Sequence, residues 1–509
     1  MANNEILSKY LSNMQGKNID AGMVSYVASL EKVSEVSPLV ASRIVNELAD
    51  QRSYLKLIAS ENFSSLSVQA AMGNLLTDKY SEGYPYHRFY AGCDNVDAIE
   101  AEACRAACEV FGADHAYVQP HSGADANLCA YWAIINHKVE IPALEEIGNM
   151  NPAHLTQEQW EKVRQACGNQ RLLGMDYYSG GHLTHGYRQN VSAQMFDAYN
   201  YKVNKETGLL DYEEIEKMAQ EIKPLILLAG YSAYPRKVDF KRLSEIAHRA
   251  GAVFMVDMAH FAGLVAGKVF TGNYEPIAWA DVVTTTTHKT LRGPRGGMVL
   301  CKEEFAESVD KGCPLVIGGP LPHVMAAKAI ALNEALLPSF HNYASAIVSN
   351  ASALASDFMA EGVPVLTGGT DNHLMLLDVR KFGLNGRQAE HILRKCGVTL
   401  NRNAIPFDPN GPWYTSGLRI GTPAVTTLGM GAPEMKEISS IISHVLKHSK
   451  PATIKKGAKA GQPSLSRATC DKKIIEDAKQ RVLDLLNKFV LYPTIDLAFL
   501  QENFPVVSE

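Results

Sequence analysis

The nine cysteines of this 509-residue chain include no CxxC pair and no group with metal-ligand spacing. Such a scatter argues against a disulfide framework or a zinc site, and fits reduced thiols; no metal is expected. An excess of one charge is equally lacking. With 49 Lys and Arg against 54 Asp and Glu the net charge is −5, so neither nucleic acid nor a membrane is expected as the main partner. No apolar run reaches membrane-spanning length, and the segment from Met1 to Leu7 has no basic region followed by an apolar stretch. Internal repeats and long low-complexity tracts are missing as well. The expectation is a cytoplasmic globular protein, long enough for two or three domains.

What is present is an alternation of strand and helix signals from about residue 51 to 335, preceded by polar, mostly helical segments over residues 1–50 that read as an arm packing on a partner subunit. The clearest unit runs from Pro224-Leu-Ile-Leu-Leu-Ala-Gly230 through a helix over Asp239 to Ala250 into a strand over Ala252 to Asp257. Phe240, Leu243, Ile246, Ala247 and Ala250 share one helical face, Asp239 is placed to cap the helix, and Gly251 follows its end. Strand, helix, strand at this spacing is a βαβ crossover, and strands apolar on both faces imply a mostly parallel sheet covered by helices. Residues 336–509 read as a smaller α+β domain, with short strands at Val363-Pro-Val-Leu366, His373 to Val379 and Gly397-Val-Thr-Leu400. Two stretches look inserted: a polar one at about 139–171 with a helical patch from Thr156 to Ala166, and a basic, Gly/Pro/Ser-rich one at about 447–470 that reads as an exposed loop.

The chemistry concentrates at strand ends. The β-branched run Val283-Thr-Thr-Thr-Thr-His-Lys289 leads into the Gly/Pro-rich Gly293-Pro-Arg-Gly-Gly297, which holds an amine beside a loop of little bulk. The preceding apolar strand ends in Asp257-Met-Ala-His260. A lysine for covalent capture of an aldehyde and an aspartate for a pyridinium nitrogen are the two groups a pyridoxal phosphate site needs from its protein. Ala116 to Asn127 offers a short strand, a His-Ser-Gly turn and a helix start, where Ser122 and Gly123 suit a phosphate. The Gly318-Gly319 pair would serve either a phosphate or a strand break. Gly180 to Gly186 sets His182 and His185 on a glycine-flanked loop, for ring stacking or for hydrogen bonding within the loop. Tyr80 to Tyr90 gathers phenols, a carboxylate and bases in one segment, functional or merely packed; Arg419 in Ser416 to Pro423 suits bidentate capture of a carboxylate.

Taken together, Leu57-Ile-Ala-Ser-Glu-Asn62, Tyr80 to Pro85, Val118-Gln-Pro-His-Ser-Gly123, Gly180 to Gly186, Asp257 to His260, Val283 to Lys289, Gly293 to Gly297 and Ser416 to Pro423 run in family order over residues 51 to 430, and the sequence resembles the serine hydroxymethyltransferases. That resemblance implies the fold-type I, aspartate aminotransferase-like α/β architecture. It also implies reversible transfer of the serine hydroxymethyl group to tetrahydrofolate, giving glycine and 5,10-methylenetetrahydrofolate. By carry-over, Lys289 binds pyridoxal phosphate covalently, Asp257 faces its ring nitrogen and His182 stacks on the ring; Ser122, Gly123, Ser232, His260, His288, Gly319 and Tyr80 complete the cofactor's surroundings. Arg419 and Ser60 hold the amino acid's carboxylate, Glu82 and Tyr90 handle protons, and Tyr177, Gly181, Leu183 and Asn403 border substrate and folate. In the family Tyr80, Glu82, Tyr90 and the Gly318-Gly319 pair come from the neighbouring subunit, which implies a homodimer with shared sites. Partial desolvation of Glu82 among Tyr80, Tyr84 and Tyr90 would let it act as a general acid.

The chain departs from the family at Ala124, where a second serine is usual, at Phe89 for a tyrosine, at Tyr177 for an aliphatic residue and at Leu428 for an arginine. The last two, with the first insert, bear on folate rather than on the cofactor. The nearest rival reading is a folate-independent aldolase of the threonine aldolase kind, which shares the carbanion chemistry; racemisation is a conceivable side activity. A non-catalytic binding protein gains nothing from Lys289 and Asp257, so that reading is disfavoured.

Overall fold

The computed structural model describes residues 5–506. Seven strands form the large sheet: β1 (His115–Tyr117), β2 (Arg171–Met175), β3 (Asp197–Tyr201), β4 (Ile226–Gly230), β5 (Val253–Asp257), β6 (Val282–Thr286) and β7 (Gly297–Cys301), in the spatial order β1-β7-β6-β5-β4-β2-β3. Every pairing is parallel except those of β7, which runs antiparallel to both β6 and β1. The reason is local. Residues 287–296 return the chain to β7 in fewer than the dozen or so residues that a parallel crossover needs.

Strands β4 to β7 are buried at every residue. Successive side chains face opposite layers. Leu227, Ala229, Phe254 and Val256 join a core with Phe240, Leu243 and Ile246, whereas Ile226, Leu228, Val253 and Met255 join one with Tyr131 and Ile134. The expected crossover is present: Asp239 accepts the Arg242 N–H at the start of the helix Phe240–Arg249, which returns the chain to β5. Parallel strands that share one direction bring the carboxyl ends of β2, β4, β5 and β6 to a single edge, where ligands bind in sheets of this class.

The smaller body carries an antiparallel sheet of β8 (Leu374–Asp378), β10 (Gly417–Gly421) and β9 (Asn401–Asn403), with β10 central, under the helices Pro338–Ala360 and Ala432–Lys447. Leu55 and Leu57 precede the large sheet in sequence yet lie in this core, because Leu55–Lys56 pair in parallel with Val398–Thr399. Val363 to Leu366 forms no strand: Val365 makes a single bridge to Leu377, and Pro364 has no N–H to extend it. The segment read as an exposed loop at 447–470 is a hairpin, Lys450–Thr453 against Pro463–Thr469. Ser464 and Ala468 turn inward, and the Ser464 and Leu465 carbonyls accept from Gln388 and Asn385 of the helix Gly386–Lys395. Its alternation is too short and too polar to stand out from a loop.

Three helices, Glu5–Asn13, Ala21–Val36 and Pro38–Ser53, form the N-terminal segment and share a core of Tyr10, Met23, Val27 and Leu48 with Phe499 and Leu500 near the other end of the same chain. One face of them stays uncovered, with Val36 89% exposed and Leu39, Val40 and Ile44 beside it. Among the described residues no helix is long and apolar enough to cross a membrane.

Candidate active site

The loops at that carboxyl edge, closed over by β9 and β10 of the smaller body, enclose a cavity of about 700 Å³. Asp257, last residue of β5, lies at its floor. Its Oδ2 accepts from Asn127 Nδ2 at 2.9 Å and His185 Nε2 at 3.1 Å, and its Oδ1 accepts the Ala259 N–H at 3.0 Å. Burial alone would raise the carboxyl's pKa; the His185 bond and charge, the His182 ring and the Asn127 bond outweigh it and hold the group well below the usual carboxylate range. Asn127 spends its second N–H on Thr184 Oγ1 (2.7 Å), while its Oδ1 accepts the Thr284 hydroxyl. Thr184 Oγ1 in turn lies 2.7 Å from His182 Nδ1. Because Nδ1 accepts the Thr184 N–H at 3.2 Å it carries no proton, and the Thr184 hydroxyl donates to it as well. His182 is thereby the neutral Nε2–H tautomer. Its pKa agrees: burial, against the pull of Asp257 and with the push of His185, lowers it to about 4.

Lys289 follows β6 in the 287–296 loop. Enclosure by protein, opposed by the Asp257 charge and reinforced by Arg419 and Arg295, lowers its pKa from 10.5 to about 8. Asn62 Nδ2 fixes its backbone from the smaller body, donating to the Lys289 carbonyl at 2.9 Å and to Tyr343 Oη at 2.6 Å. Beside it His288 lines the cavity, and its buried Nδ1 has no hydrogen-bond partner among the described residues. Ser122 caps the helix Gly123–Ile135, its hydroxyl accepting the Asp125 N–H at 3.2 Å. A Cβ at Gly123 would stand 2.6 Å from Thr286 Cγ2, so only glycine lets this helix start close on β6.

Arg419, in the middle of β10, donates from Nη1 to the Ser232 carbonyl (2.7 Å) and from Nε to Asn401 Oδ1 (3.2 Å), leaving Nη2 without a hydrogen bond among the described residues. Burial lowers its pKa to about 10, still cationic at neutral pH. His260 is buried against His373, Nδ1 to Nε2 at 3.2 Å with rings stacked, and burial together with Lys289 and Arg419 keeps it neutral. Ser60, Tyr177, Gly181, Leu183, Ser232 and Asn403 all line the same cavity.

Four of the anticipated residues do not reach it. Tyr80, Glu82, Tyr90 and Gly319 form a separate cluster. Tyr80 Oη donates to Glu82 Oε1 at 2.9 Å, Tyr90 Oη lies 3.5 Å from Oε2, the two rings meet edge to face, and a Cβ on Gly319 would stand 3.1 Å from the Tyr80 ring. Glu82 itself is partly buried, but the phenols expected to enclose it do so incompletely: Tyr80 and Tyr90 are about half exposed, and Tyr84 stacks on His87 instead. Sequence reasoning also missed groups that build the floor. Asn127 and His185 stood within the quoted motifs, but nothing in their spacing shows that both converge on Asp257. Arg295 likewise stood within a quoted motif, whereas the Arg402–Glu390 pair lining the cavity and His373 behind His260 lay outside every motif singled out for chemistry.

The residues present suit pyridoxal phosphate: an amine of lowered pKa, an anionic carboxylate at the floor, a neutral imidazole able to face a ring, the N-terminal turn of a helix for a phosphate, and the unpartnered His288 Nδ1. The serine hydroxymethyltransferase family profile matches residues 33–167 and 161–442. A serine hydroxymethyltransferase of Treponema pallidum is 59% identical over 502 residues, covering 99% of this chain and 87% of its own. Those of Salinispora tropica (54% over 478 residues; 94% and 99%) and Chlamydia trachomatis (52% over 494; 97% and 99%) are similar along nearly their whole length. The chain belongs to the serine hydroxymethyltransferase family and has its fold-type I architecture.

Proposed function

We propose that this chain, a pyridoxal phosphate enzyme, transfers the hydroxymethyl group of serine to tetrahydrofolate through the cavity built by Lys289, Asp257, His182 and Arg419. When bound, the cofactor supplies an electron sink for the bond broken at the amino acid's α-carbon. Lys289 holds its aldehyde carbon, and the lowered pKa leaves the amine free to do so near neutral pH. Asp257, ionised whatever the working pH, keeps a proton on the ring nitrogen by placing a negative charge against it. His182 presents a neutral ring face, which avoids a second positive charge beside that nitrogen. Arg419 would take the substrate carboxylate, with Ser60 alongside, and so orient the amino acid in the cavity; orientation of this kind is worth several kcal/mol of barrier. Tyr177, Leu183 and Asn403 stand toward the mouth, where tetrahydrofolate receives the one-carbon unit.

The working enzyme in this reading is a homodimer. The half-exposed Tyr80–Glu82–Tyr90 cluster, the Gly318-Gly319 turn beside it and the bare face around Val36 support it: all are built in each chain, and none serves that chain's own cavity. Glu82 then handles the proton of the substrate hydroxyl in the neighbour's site. Residues 51–335 are the cofactor-binding domain, apart from the stretch around Leu55 to Leu57 that packs in the smaller body, and 336–509 are the smaller one. Nine unpaired cysteines suit the cytoplasm. The single observation carrying the assignment is a lysine of depressed pKa facing an ionised aspartate in one cavity. Formaldehyde-unit transfer from serine, measured with and without tetrahydrofolate, tests it. The native chain should require the folate and Lys289→Ala should abolish turnover; equal turnover without folate would refute the assignment.

A further inference from the structure

We propose that Lys328 is a positioning residue that holds the turn offering Ser122 and Gly123 to a phosphate, and ties that turn to the loop carrying Lys289. It rests on the pyridoxal phosphate reading of the site. Lys328 lies on the helix Pro322–Ala335, on the far side of the turn from the cavity, and is 1% exposed. Its ammonium donates to three carbonyls and nothing else: Val118 at 2.5 Å, Pro120 at 2.9 Å and Gly297 at 2.7 Å. The first two lead into Ser122. The third opens β7, directly after the 287–296 loop. Among the described residues no carboxylate lies within ion-pair distance of Lys328; Glu100, the acid that most favours its charge, is already engaged by Arg88 and Gln119.

Two glycines are explained by this arrangement. A Cβ at Gly296 would stand 2.5 Å from Lys328 Cε, and one at Gly297 would collide with the Ser122 carbonyl. The Gly296-Gly297 pair therefore lets the lysine and the turn approach the same piece of backbone, and the Gly297 N–H donates to the Pro120 carbonyl at 2.9 Å. Three acceptors absorb all three ammonium hydrogens, which fixes the turn; a neutral amine would give up one of these bonds and an apolar side chain all three. Burial also lowers the Lys328 pKa to about 7, so the charge is costly where it stands and gains from an anion placed on the turn.

The test compares two aldehydes on the apoenzyme: pyridoxal 5'-phosphate and unphosphorylated pyridoxal, each titrated by absorbance to its dissociation constant. Lys328→Met should weaken the phosphate ester on the order of tenfold or more while leaving pyridoxal unchanged, because only the ester uses the turn. Gly296→Ala, which pushes Lys328 aside without removing it, should show the same selective loss and covers the case in which Lys328→Met does not fold. Equal weakening of both aldehydes, or of neither, in the folded variant would overturn the inference. A native chain that shows no preference for the phosphate ester would instead overturn the reading of the site itself.

Discussion

Lys289 captures an aldehyde only as the neutral amine, so the rate of capture reads its pKa directly. An ordinary lysine of pKa 10.5 is neutral in about one molecule in 3,000 at pH 7; at a pKa of about 8 the fraction is roughly one in ten. The enclosure that lowers the pKa therefore raises the reactive population about 300-fold, equivalent to about 3 kcal/mol. Mixing apoenzyme with pyridoxal phosphate and following the absorbance of the covalent adduct should give a rate that climbs tenfold per pH unit up to about 8 and is flat above it. The phosphate is a dianion throughout that range, its second ionisation falling near 6, so its own titration does not shape the profile. Two variants move the midpoint in opposite directions. Asp257→Asn removes the charge that props the amine's pKa up, and the midpoint falls; Arg419→Gln removes a cation that pushes it down, and the midpoint rises. A rate still rising through pH 9 to 10 in the native chain would refute the reasoning, as would shifts of the same sign in both variants.

Arg419→Lys should raise the serine KM about 100-fold or more, since a point charge does not replace a planar fork already anchored on Ser232 and Asn401; steady-state kinetics decide it. Asn127→Ala strips one donor from ionised Asp257 and leaves Thr184 and Thr284 without their shared partner, which should cost about 2 to 3 kcal/mol of stability in a denaturant titration. The shared-site dimer is tested by mixing: equal amounts of Lys289→Ala and Glu82→Gln chains, each inactive alone, should recover about a quarter of native activity, because half the dimers are mixed and each has one site with both residues intact. No recovery above the parents would mean that Glu82 serves its own chain.

The sequence displayed the parts of this site that lie along one strand and its following turn. Asp257 ends a short strand and Lys289, Ser122 and Gly123 follow others, and a strand end is legible because β-branched or apolar runs stop where polar and glycine-rich residues begin. Arg419 was legible for a related reason, standing between the glycines that open and close β10. What the sequence withheld was convergence. Asn127 sits one turn into the helix after Ser122, His185 on the loop after β2, and Thr284 in the middle of β6; their meeting at Asp257 depends on the order β6-β5-β4-β2, and no local pattern encodes that order. Lys328 was hidden for the opposite reason. A lysine in the helix Pro322–Ala335 reads as a solvated charge, and the absence of a side chain at Gly296, on a distant segment, leaves the space its stem occupies.

The same distinction bears on Glu82. Its neighbours in sequence are the phenols expected around it, yet Tyr80 and Tyr90 stay about half exposed while Glu82 itself is only partly buried. In the proposed dimer the rest of the wall around Glu82 would come from a second copy. The uncovered face of the N-terminal helices is a second surface that such a copy would cover. Solvent exclusion at Glu82 is in that case a property of association, and diluting the enzyme below its dimer affinity should abolish folate-dependent transfer while leaving Lys289 able to bind the cofactor aldehyde. Loss of both together on dilution would place the dimer contact at the cofactor site itself and remove this division of labour.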